Sequence, residues 1–137
     1  MTTVKNVLSD KSNSAIFTIR PTDTVFSAIK LMAEKGIGAV IVTENNKVVG
    51  IFSERDYTRK VVLMERTSRE TQVNEIMTSN VITVTTSMSV ENCLNLMTEK
   101  HLRHLPVVED EQLLGLVSIG DLFCSRFLIC LSVSNTK

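Results

Sequence analysis

Apolar and polar positions follow two rhythms along this chain. Phe17-Thr18-Ile19 and Ile82-Thr83-Val84 keep the two-residue period of short strands. Each leads into a polar cluster, with Asp23 in the first case and Ser87 and Ser89 in the second placed to cap a helix. Val25, Ile29 and Met32, and later Val90, Leu94 and Met97, recur at helical spacing, so each helix presents one apolar face and both methionines read as core. "GAVIVTENNKVVGIFS" then predicts strand, turn and strand around Glu44-Asn45-Asn46-Lys47, and "HLPVVEDEQLLGLVS" repeats it around Glu109-Asp110-Glu111.

The two passages are one pattern written twice. Thr18 matches Thr83, Leu31-Met32 match Leu96-Met97, Gly50 matches Gly115, and Ser53 and Asp56 match Ser118 and Asp121, all at an offset of 65 residues. A shift of 69 extends the match upstream, setting "VKNVLS" at Val4 to Ser9 beside "VNEIMT" at Val73 to Thr78. Each copy reads helix, strand, helix, strand, strand, helix, which is an α+β fold. The expected division is a first repeat with its N-terminal helix over 1–68, a second over 69–123, and an atypical apolar tail over 124–137. Units of this size bury little surface alone, so they are expected to pack their three-stranded sheets together about a pseudo-twofold axis. That arrangement creates two equivalent clefts.

Glycine weakens a strand interior unless something must come close, whether a backbone, a bulge or a ligand. Gly50 and Gly115 therefore mark a close approach in each copy. The Ser-x-x-Asp that follows each glycine has two readings. As a capping box, the serine caps the first turn while the aspartate reaches back, worth about 1 kcal/mol without any ligand. As a binding element, the serine stands at a helix N-terminus that suits a phosphate, and the aspartate, with two acceptor oxygens, suits the hydroxyl pair of a ribose.

Totals remove other classes. Apolar residues make up 43% and charged residues 22% of the 137, which is ordinary for a folded domain. Fifteen basic and fifteen acidic residues cancel, so no broad positive field draws nucleic acid or an anionic membrane, and any anion must be held locally. The N-terminus lacks an apolar signal core and no apolar run approaches the roughly 20 residues of a membrane span, so a cytoplasmic location is expected. Cys93, Cys124 and Cys130 form an odd set without Cys-x-x-Cys spacing, which argues for reduced thiols rather than disulfides or zinc. His101 and His104 lie three apart without a carboxylate in register, so no metal is expected. No nucleophile triad, Gly-x-Gly-x-x-Gly or Walker loop is present, and the chain is not expected to be an enzyme.

The order of "GAVIVTENNKVVGIFSERDY", "EIMT" and "RHLPVVEDEQLLGLVSIGDL" resembles a tandem pair of cystathionine beta-synthase (CBS) domains, or Bateman module, over Val4 to Phe123. The likeness is to stand-alone two-CBS proteins. It implies a sensor of adenine nucleotides (AMP, ADP, ATP, NAD(H) or S-adenosylmethionine) that changes shape to regulate an enzyme or transporter, and a homodimer. It further implies that Asp56 and Asp121 take ribose hydroxyls, that Ser53 and Ser118 help at the phosphate, and that Thr83 and Thr18 of the opposite repeat close the base pocket. Arg103 and His104, just before Pro106 in the implied nucleotide-binding set, match positions where similar proteins place basic side chains toward phosphates; the first repeat has Gly38 and Ala39 there. Arg55 answers to Gly120, while Arg59 and Lys60 lie one turn on, so the Ser53/Asp56 cleft is expected to be the tighter. The rival expectation is a purely structural protein-protein interaction module in which both Ser-x-x-Asp elements are caps.

Overall fold

Both hairpins turn on two consecutive residues with positive φ, Asn45 (53°) and Asn46 (66°) in one and Asp110 (51°) and Glu111 (64°) in the other. That is the type I′ geometry whose twist matches paired strands. The computed structural model describes residues 2–10 and 16–123. The tail with Cys124 and Cys130 lies outside the described residues. Elements run α1 (Val4–Asp10), β1 (Thr18–Ile19), α2 (Val25–Lys35), β2 (Ala39–Glu44), β3 (Lys47–Ser53), α3 (Glu54–Asp56), a π-helix (Tyr57–Val62), a 3-10 turn (Val73–Glu75), α4 (Val90–Lys100), β4 (His104–Glu109) and β5 (Gln112–Ser118). The α+β expectation holds.

The chain divides into two units that do not follow its order. One is Phe17–Val81; the other joins the described residues up to Ile16 to those from Ile82 to Phe123. The N-terminal helix, read from order along the chain as part of the first repeat, thus packs in the second.

In the Phe17–Val81 unit, β1 pairs parallel to β2 and β2 antiparallel to β3. Val42 faces Gly50 while Thr43 faces Val48, so Val49 is an extra residue, a bulge beside the glycine. Val25, Ala28 and Met32 of α2 pack with Val40, Val42, Phe52 and Val61. The helix cap is Thr24, whose hydroxyl accepts from Ser27 N–H, not Asp23; that carboxylate instead accepts from Arg20 N–H and side chain. The backbone from Ser68 to Thr78 closes the unit. Thr71 and Ser68 carbonyls accept from Val25 and Phe26 N–H, and Thr78 exchanges both backbone bonds with Ile51.

In the other unit, Ser89 caps α4 by accepting from Asn92 N–H, and Val90, Cys93 and Met97 pack with Leu105, Val107 and Val117. The first-strand expectation is met only by Val84, which bridges Val107, so the sheet has two strands rather than three. Pro106 explains this. Val84 N–H donates to Pro106 O and Val108 N–H to Val84 O; the next ladder bond back would need an N–H on residue 106, which proline lacks. Helix α1 is tied on through Val4 N–H to Met88 O, Lys5 N–H to Thr86 O and Val90 N–H to Thr2 O. It buries Val4 and Val7 completely in this core.

Candidate functional site

Each β-hairpin ends by turning directly into a helix, and the turn carries the Ser-x-x-Asp. Ser53 has extended backbone and its hydroxyl accepts from Asp56 N–H at 3.2 Å, while Asp56 Oδ2 accepts from Ser53 N–H at 3.0 Å. Ser118 and Asp121 repeat the exchange at 3.0 and 2.9 Å. Both elements are therefore capping boxes. The N1 amide is also used: Glu54 N–H donates to Gly38 O and Ile119 N–H to Arg103 O. At the two turns, neither the Arg55 N–H nor the Gly120 N–H, the N2 amides, has a protein acceptor. Of the amides that the binding reading counts on, the N1 and N3 groups at each turn are taken by the protein itself.

Strand register brings Gly38 and Ala39 beside the first turn, since Ala39 faces Ser53. It brings Arg103 and His104 beside the second, since His104 faces Ser118. Pro106 is buried in β4 opposite Leu116. Thr18 and Thr83 are exposed, as are Arg55, Arg59 and Gly120. Lys60 is committed locally: its ammonium lies 3.3 Å from Asp56 Oδ1 and donates to Ile76 O at 3.2 Å. Gly50 and Gly115 do mark close approaches, but the neighbours are Met77 and Leu8, side chains of the segments preceding each repeat. The absence of Cβ thus serves packing at both positions.

Thr78 was missed by residue reasoning. Its hydroxyl donates to Asp56 Oδ1 at 3.5 Å, and its backbone pins the segment to β3. The signal was the upstream repeat, which ends in a hydroxyl residue both times, at Ser9 and Thr78. His101 holds the left-handed C-cap of α4 at φ 58°, the place Gly36 takes in α2. Among the described residues no group of three potential metal ligands assembles. Burial raises the Cys93 thiol above its ordinary range, so it is an inert apolar filler. Glu75 is held below the usual carboxylate range, first by Gln72 N–H and then by Arg66.

The family model for the CBS domain matches residues 4–63 and again 73–125. The chain belongs to the CBS domain family. Paired CBS domains are regulatory and non-catalytic elements. It is 39% identical over 128 residues to the mitochondrial CBS domain-containing protein CBSX3 of Arabidopsis thaliana, covering 88% of this chain and 62% of that protein. The chain thus spans under two thirds of that relative. Among solved structures, a CBS-domain protein from Burkholderia ambifaria MC40-6 superposes with a TM-score of 0.88 at 52% identity, over 91% of this chain and 93% of that one. The CBS domain pair of protein MJ0100, solved with 5-methylthioadenosine and S-adenosyl-L-methionine, superposes with a TM-score of 0.80 at 25% identity, over 93% and 96%. No described helix is long and apolar enough to cross a membrane.

Proposed function

We propose that this CBS pair is a non-catalytic sensor that binds an adenine nucleotide at its Ser-x-x-Asp turns and regulates a partner enzyme or transporter. The observation that carries the reading is the Asp56 carboxylate. It is only 14% exposed, held by Ser53 in one orientation at a strand-to-helix turn, and the same device recurs at Asp121. A rigid carboxylate of this kind is the acceptor a ribose diol requires. The MJ0100 pair, solved with two adenosine compounds, supports the ligand class.

Calorimetric titration with AMP, ADP, ATP, NAD(H) and S-adenosylmethionine tests it. At least one is expected to bind well below 1 mM, and Asp56→Asn with Asp121→Asn to abolish the response. If none binds more tightly than about 1 mM, roughly 4 kcal/mol, the sensor reading ends. The complete capping boxes favour the rival, a module acting through protein contacts alone; that rival predicts lower melting temperatures for both variants and no adenylate response in any. A homodimer, proposed from the family likeness, is checked by light scattering.

A further inference from the structure

A carboxylate has about four acceptor positions on its two oxygens. At Asp56 the protein itself fills all four. Oδ2 accepts from Ser53 N–H at 3.0 Å and Ser53 Oγ at 3.1 Å. Oδ1 faces Lys60 Nζ at 3.3 Å and Thr78 Oγ1 at 3.5 Å. A ribose diol brings two donors and must displace two of these. The Oδ2 contacts belong to the capping box, whose loss would uncap the helix start. Those on Oδ1 are weaker, because Thr78 sits at the limit of hydrogen-bond length. The Lys60 side chain is 45% exposed, and an exposed ion pair is worth little.

Lys60 is therefore the group that gives way, and its fate depends on the ligand. A neutral nucleoside would take the carboxylate and leave the ammonium with Ile76 O alone. A phosphorylated one brings its own anion, and the released ammonium exchanges a carboxylate for a phosphate through a charge-assisted bond. Resting on the adenylate reading above, we propose that Lys60 is the specificity-determining residue of the Asp56 turn. It selects phosphorylated adenylates by competing with their unphosphorylated counterparts for Asp56.

The test compares AMP with adenosine by calorimetry at fixed ionic strength, in an Asp121→Asn background that confines binding to the first turn. Three forms are titrated: Lys60 intact, Lys60→Met, which keeps the aliphatic stem, and Lys60→Arg, which keeps the charge. With Lys60 intact, AMP is expected to bind about tenfold or more tightly than adenosine. In Lys60→Met, AMP should weaken and adenosine tighten, so that the ratio falls toward one. Lys60→Arg should retain most of the preference. A ratio unchanged in Lys60→Met, or both ligands weakened equally, overturns the inference while leaving the sensor reading intact. Binding of neither ligand with Lys60 intact, nor of any adenylate to the parent protein, removes the sensor reading and this inference with it.

Discussion

The thioether of Met77 lies against the bare Cα of Gly50, in the space a Cβ there would claim. Leu8 stands in the same relation to Gly115. β3 and β5 are thereby each clasped by the segment that precedes the other repeat in the chain.

The clasps are not equally tight. A Cβ on Gly50 would overlap Met77 Sδ and Cγ and come within 3.1 Å of the Thr78 carbonyl, whereas one on Gly115 meets a single Leu8 methyl at 2.9 Å. Gly50→Ala should cost about 1–3 kcal/mol, as overpacking does, and Gly115→Ala less. Urea unfolding of the two variants measures the difference. Equal costs would show that the Thr78 backbone does not constrain the first clasp.

His101 occupies a left-handed C-cap at φ 58°, where its counterpart in the first repeat is Gly36. Glu111 is likewise left-handed at φ 64° in its turn. A side chain pays for this conformation and glycine does not, so His101→Gly and Glu111→Gly should each stabilise by about 0.5–1 kcal/mol. Gly36→Ala should destabilise, although its Cβ meets nothing within 4 Å. Melting curves of the three variants decide the signs.

Val4 and Val7 are fully buried in the core of the second-repeat unit. Truncating either to alanine should cost about 1–2 kcal/mol. The affected region distinguishes this packing from a linear one. Hydrogen exchange should speed up in β4 and β5, with β2 and β3 less affected. The reverse pattern would assign α1 to the first repeat.

The Glu75 carboxylate is held below its usual range by Gln72 N–H and Arg66. A lowered carboxylate contributes stability that is fully present above its unfolded value and is lost as pH falls through its folded value. Glu75→Gln should therefore flatten the decline in unfolding midpoint between about pH 5 and pH 3. The effect should be small and should shrink in high salt, since the group is exposed. An unaltered acid limb would remove Glu75 from the account.

Much of the molecule was legible because local chemistry determines it. The turn at Asn45-Asn46 needs two residues that tolerate positive φ, and the apolar faces of α2 and α4 follow from spacing alone. The capping boxes were readable too, since Ser-x-x-Asp specifies its own bonds within one turn. The reduction of the second sheet's expected first strand to a single bridge at Val84 was not, because the pattern of Ile82-Thr83-Val84 says nothing of its partner. It is Pro106, opposite in space, that withholds the donor the ladder needs.

By itself, then, the sequence determined the elements, the duplication and the two carboxylate turns, all of which depend on residues within a few positions of one another or on a pattern seen twice. Only the tertiary structure decided which helix serves which repeat, what fills the space above Gly50 and Gly115, and that Lys60 and Thr78 converge on Asp56. Those outcomes rest on contacts between segments as far apart in the chain as Leu8 and Gly115. Their partners are chosen by buried area and by leftover hydrogen-bonding groups, which periodicity along a chain does not record.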